Sequence, residues 1–285
     1  MFCRKKTYDI IYSLGSNCSA AGFLNKHYLR VSSGPFDWWM MQNPCEDNFE
    51  RRARLICSHF SNFLKKENLE YLELPEDTPR DPDFDPYLDN GGPGIYLPHD
   101  FPIGEPMEQN YDMVKAKYDR RIARFYEKIQ TSDRVLLVWI CIDDVGCDPQ
   151  TVKRLCDEMC DTFGKTVDFL LIWQDDSMAL DQAAVKHQLA PNIELWRANI
   201  YRNPTGKLPE FMGGAELVSP ILKPYALKGT RWLIFKARAR VIFGRYLCLF
   251  IPVRRWRKRL HAYFRENELN KDFSRDIRDR RTSLR

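Results

Sequence analysis

Two kinds of hydrophobic pattern alternate along the chain. Continuous apolar runs bounded by polar or glycine residues read as buried strands: YDIIYSLGS (8–16), RVLLVWICI (134–142), TVDFLLIWQ (166–174) and IELWRANI (193–200). Between them, apolar residues recur every three or four positions. Residues 17–29 predict a helix capped by Ser16 or Asn17, and residues 44–64 place Phe49, Ala53, Ile56, Phe60 and Phe63 or Leu64 at helical spacing. The clearest helix spans 107–130. There Tyr111, Val114, Tyr118, Ile122, Phe125 and Ile129 form one stripe, with Lys117, Arg120, Arg121 and Arg124 around it. A further helix runs from Pro149 to Phe163. Strands alternating with helices predict an α/β fold, a mainly parallel sheet with helices on both faces in three layers.

Residues 75–106 break the alternation. They are dense in Pro, Gly and Asp, which excludes a long helix or a central strand and predicts a long functional loop. Tyr96, His99 and Phe101 near its end suggest that this part docks on the core. The expected organisation is an α/β domain over 1–215, a basic amphipathic helical segment over 216–265 and a charged tail over 266–285.

Composition changes this picture in two places. The nine cysteines are odd in number and irregularly spaced, which excludes a secreted disulfide scaffold and favours reduced thiols in a cytoplasm. Cys156 and Cys160 share a helix face, but no second pair at zinc-like spacing follows, so no metal or other cofactor is expected. No segment reads as a secretory signal or a membrane-spanning helix. The second feature is charge. The chain carries a net +5, yet residues 217–265 hold 13 Lys/Arg and no Asp/Glu, while the remainder carries a net −8. Within 226–264, Arg and Lys alternate with Trp, Phe and other large apolar groups, a pattern suited to an anionic membrane surface. It predicts a peripheral contact at the inner face of the membrane. Nucleic acid is disfavoured, because the body is acidic and no nucleic-acid-binding motif is present.

In parallel α/β sheets, ligands bind beyond the carboxyl ends of the strands. Three such ends carry polar groups: Ser16-Asn17-Cys18, Asp143-Asp144 and Asp175-Asp176. The Asp pairs have a simpler reading as helix caps. Cys18 is the sharper candidate. At a helix N-terminus, unpaired backbone N–H groups and the helix dipole favour a thiolate of lowered pKa, and the same N–H groups could hold an oxyanion. Its simpler reading is a small thiol packed at a strand–helix junction. Among the five histidines, His99 is the base candidate, because it alone sits in the long loop. Asp100, its neighbour, should point the other way. Asp37 or a strand-end Asp is expected to orient His99 instead. The Gly15-Ser16-Asn17 turn could also receive a phosphate, but it matches neither the three-glycine nor the Walker pattern.

Four segments carry a resemblance: SLGSNCSAA (13–21), GPFDWW (34–39), PHDF (98–101), and KAKYDRRIARF (115–125) followed by RVLLVW (134–139). Together, over about residues 8–140, they resemble a bacterial family of papain-like cysteine peptidases of otherwise unknown function. The resemblance implies Cys18 as nucleophile and His99 as base, in papain order. The apolar Ile-Pro run with its Arg/Lys cluster is similar to terminal segments of bacterial surface-polysaccharide assembly proteins.

These readings converge on a cysteine-dependent hydrolase, a peptidase or acyl transferase acting on a peptide or an acylated glycan. Cys18, His99 and Asp37 would be catalytic, with Ser16, Asn17 and Asp100 binding the oxyanion or substrate. The alternative is a non-peptidase protein of surface-glycan biosynthesis that binds a sugar or nucleotide at the strand ends. A membrane-surface adaptor without chemistry is the third.

Overall fold

The computed structural model describes residues 5–41, 48–74, 81–91, 94–141, 148–179, 181–200, 214–229 and 235. Its centre is a five-stranded, mainly parallel sheet. The strands are β2 (Ile10–Gly15), β7 (Val135–Cys141), β8 (Asp168–Gln174), β10 (Ile193–Ala198) and β9 (Val185–Ala190), in the order β2-β7-β8-β10-β9. The first three pairings are parallel and the β10–β9 pairing is antiparallel. Every residue of β7 is buried, as expected of a strand covered on both faces.

Alternate strand residues feed two core clusters. Tyr12, Leu14, Leu137, Trp139, Phe169 and Leu171 join α2 (Asn48–Cys57), α3 (Met107–Thr131) and α4 (Pro149–Phe163). Ile11, Leu136, Val138, Ile140, Leu170 and Ile172 join α1 (Cys18–Lys26) and α5 (Ala215–Leu222). Helix α4 has the expected limits for local reasons. Asp148 caps Thr151 N, Pro149 occupies the first turn, and Gly164 closes the end at φ 63°.

Three expectations need correction. First, the segment 75–106 is not one loop. Within it, β5 (Phe84–Asp89) and β6 (Ile95–Pro102) form an antiparallel hairpin. With β4 (Leu69–Tyr71) and β3 (Met40–Met41) they make a second sheet, in the order β3-β6-β5-β4. Prolines argue against strands by removing ladder donors. Here Pro86 and Pro98 lie where the register slips, since Tyr87 pairs with Leu97 but Asp85 pairs with Phe101. Second, the helix expected over 44–64 ends at Cys57. His59, Phe60 and Leu64 adopt positive φ, and the resulting turn buries Phe60, Phe63 and Leu64 while Asp89 accepts from Leu64 N at 2.7 Å. Third, the α/β body does not stop at 215. Helix α5 buries Val218, Ile221 and Leu222, and β11 (Tyr225–Leu227) pairs in parallel with β1 (Lys6–Tyr8). The rest of the basic segment, Phe235 apart, and the charged tail lie outside the described residues. Among the described residues, no helix is long and apolar enough to cross a membrane.

Candidate functional site

Strand β2 ends at Gly15, and Cys18 is the first residue of α1. Only two residues separate them, so the turn is tight. Gly15 has φ +91°, a left-handed value that favours glycine. Asn17 caps the helix by accepting from Ser19 N at 2.9 Å. The Ser16 hydroxyl is buried and has no hydrogen-bond partner among the described residues. Cys18 itself is partly buried, beside a helix N-terminus at the carboxyl end of a parallel strand.

Its electrostatics differ from the expectation. Burial pushes the Cys18 thiol up to about 11; its own backbone N–H lowers it less, and the Asp37 carboxylate raises it further. Desolvation of the thiolate outweighs the favourable amide because the thiol is largely out of water. At neutral pH the resting group is therefore a thiol.

Asp37 is taken up elsewhere. Its Oδ2 accepts from Arg30 Nε at 3.0 Å, Arg30 Nη2 at 2.7 Å and Gly34 N at 2.8 Å. Both side chains of this ion pair are almost fully buried. Trp39 Nε1 donates to Pro35 O at 2.7 Å, closing the same turn. Asp37 thus fixes the GPFDWW turn and does not orient His99.

His99 lies on β6, inside the stretch where the β5–β6 register slips. Its Nδ1 is 2.5 Å from Asp81 Oδ2, and both groups are partly exposed. Asp81 therefore holds the position expected for Asp37. Asp100 serves another contact. It is buried, accepts from Tyr118 OH at 2.8 Å, and pairs with Lys117. His99 and Asp100 have separate partners, as neighbours in an extended segment should. No hydrogen bond or charge interaction among the described residues joins Cys18 to His99.

The other strand ends contribute less. Asp143 and Asp144 lie outside the described residues. Asp175 accepts from Ser177 N at 3.1 Å and from the Ser177 hydroxyl, a local turn contact. Cys156 is fully buried in the apolar core, and Cys160 accepts from Val167 N at 3.5 Å. Among the described residues, no three His, Cys, Asp or Glu side chains are grouped as metal ligands.

Two residues escaped the sequence reading. Asp81 stands 18 residues before His99, and only the hairpin brings it close. Arg52 is fully buried. It follows Phe49 by three residues and precedes Ile56 by four, so it sits on the apolar stripe of its own helix. An arginine there was the available signal.

A mainly parallel sheet flanked by helices, with a thiol at a helix N-terminus on its carboxyl edge, makes this an α/β protein with a candidate cysteine site. Residues 9–146 match the model of a family described as "putative papain-like cysteine peptidase", which is the resemblance carried by the four sequence segments. At the coarse level the match supports a cysteine hydrolase. No curated protein and no solved structure matches the chain.

Proposed function

We propose that this protein is a cysteine-dependent hydrolase of peptide-type acyl substrates, with Cys18 as nucleophile. The observation that carries this reading is the placement of Cys18 at the start of α1, beside the unpaired Ser16 hydroxyl. Cys18 Sγ attacks the carbonyl carbon as its proton passes to His99 Nε2, and Asp81 stabilises the imidazolium through Nδ1. Helix N-terminal amides and the Ser16 hydroxyl hold the oxyanion. The C–N bond then breaks, the leaving amine takes the proton from His99, and water hydrolyses the thioester. Because the resting thiol is neutral, the mechanism is general-base assisted rather than a preformed ion pair. It requires His99 Nε2 to reach Sγ in the substrate complex, as catalytic contacts that are loose in free enzymes often do.

The test is p-nitrophenyl acetate and a panel of peptide amides, with acetylation of the Cys18 peptide followed by mass spectrometry. Cys18→Ser should abolish turnover and trapping while the circular dichroism spectrum is kept. His99→Ala and Asp81→Asn should each slow acylation by about 10²–10⁴-fold and less, respectively. Full activity in Cys18→Ser overturns the reading.

One observation favours a second reading. A thiol desolvated beside a carboxylate is also the setting of a packing cysteine. On that reading the strand ends bind a sugar or nucleotide, and a panel of such ligands raises the melting temperature. No shift across the panel would count against it.

A further inference from the structure

We propose that Arg52 is the positioning residue of the Cys18 site, aiming the Asn17 N–H at the developing oxyanion; this rests on the reading of Cys18 as nucleophile. Arg52 is 0% exposed and lies on α2, far along the chain from the turn it holds. Its Nη1 donates to Leu14 O at 2.9 Å and its Nη2 to Ser16 O at 2.9 Å. Its Nε donates to Asn48 Oδ1 at 3.1 Å, which fixes the plane of the guanidinium. Aromatic rings enclose it, with the guanidinium carbon 4.3 Å from the Trp39 centroid and 5.1 Å from that of Trp139.

The geometry is specific to this pair of residues. A Cβ on Gly15 would stand 2.5 Å from Arg52 Nη1, so only glycine lets the guanidinium seat against the turn. A planar fork fixes the directions of both carbonyls together, which the rotatable donors of a lysine ammonium do not. The described peptide bonds are all trans, so each N–H points opposite to the carbonyl of its own plane. Drawing Ser16 O to Arg52 therefore turns the Asn17 N–H away from the guanidinium. The Gly15 N–H, opposite Leu14 O, is already used, donating to Ser13 Oγ at 2.9 Å. The Asn17 N–H has no partner among the described residues and adjoins Cys18. A free amide of fixed direction, next to a thiol, is what an oxyanion donor requires. A buried guanidinium held by two carbonyls of one turn and enclosed by rings is otherwise an expensive way to pack a helix.

The experiment compares Arg52→Lys with wild type at a temperature well below both melting points. Two readouts are taken: the pH profile of Cys18 alkylation by iodoacetamide, and kcat and KM for p-nitrophenyl acetate. Losing one amide donor should lower kcat by about 10²–10³-fold with KM little changed. Freeing the turn should hydrate the thiol, lower its apparent pKa, and raise alkylation at pH 8 by about tenfold or more. Alkylation of Cys57 and Cys160 in the same samples should not change. A lower melting temperature with both Cys18 readouts unchanged overturns the proposal, because that is what a purely structural arginine gives. Should Arg52→Lys fail to fold, Asn48→Ala loosens the same guanidinium and is read in the same way. If Cys18→Ser keeps full turnover, the nucleophile reading has failed, and the alkylation profile still decides whether Arg52 sets the turn.

Discussion

The two ends of the parallel sheet treat charge in opposite ways. At the carboxyl end, Arg30, Asp37 and Arg52 are each almost fully buried, and each is held by a small set of fixed partners. At the amino end, a cleft of about 180 Å³ is lined by Lys6, Tyr8, Arg134, Asp168, Glu194 and Tyr225. There the charges answer one another. Lys6 pairs with Glu194, Arg134 lies 3.5 Å from Asp168, and Tyr8 OH donates to Asp168 at 2.6 Å. Arg134 and Lys6 also lie over the rings of Tyr8 and Tyr225. The amino end has an open cleft lined by charged groups, and those groups satisfy each other beside water. At the carboxyl end, Arg30, Asp37 and Arg52 are desolvated and spent on holding two turns near a thiol. What separates these two groups of charges is how far each has been taken out of water.

The comparison breaks most visibly at the buried ion pair. Arg30→Met leaves the Asp37 carboxylate buried without its cation and should cost about 3–5 kcal/mol in urea unfolding. A cost below about 1 kcal/mol would mean that the pair is solvated and the two ends are alike.

The next effect is a pH dependence. The folded-state pKa of Cys18, about 11, stands above its ordinary value of 9.0. In between, the unfolded chain loses this proton first, so the unfolded state binds fewer protons and stability falls as pH rises through that window. Unfolding at pH 8 and pH 11 should show wild type losing up to about 2 kcal/mol more than Cys18→Ala. Equal losses in the two proteins would show that the thiol is not desolvated.

The smallest effect belongs to the amino end. Arg134→Met should change stability by less than about 1 kcal/mol, because its half-exposed pair with Asp168 gains little in water. A cost like that of Arg30→Met would erase the distinction.

Much of the α/β body was legible along the chain. Strands β7, β8 and β10 and helices α3 and α4 fall within a residue or two of their expected limits, because each is a long apolar run or an unbroken stripe. The second sheet was not legible. Its strands carry Pro86, Pro98 and Pro102, and local rules cannot know that two of these sit at a register slip. Edge strand β9 was missed for a related reason: Val185–Gln188 are exposed, so no apolar alternation marks them.

The candidate site divides in the same way. Gly15, Asn17 and Cys18 are consecutive enough that the turn, the cap and the helix start follow from local chemistry. So the sequence by itself determined the parallel sheet, the position of Cys18 at a helix N-terminus, and the resemblance of residues 9–146 to a cysteine peptidase family. Tertiary structure alone decided the partners: Asp81 for His99, Arg30 for Asp37, and Arg52 for the carbonyls of Leu14 and Ser16. It also decided that the thiol is neutral at rest. A helix amide is a local feature and favours the thiolate, whereas desolvation depends on everything packed around the sulfur and outweighs it here.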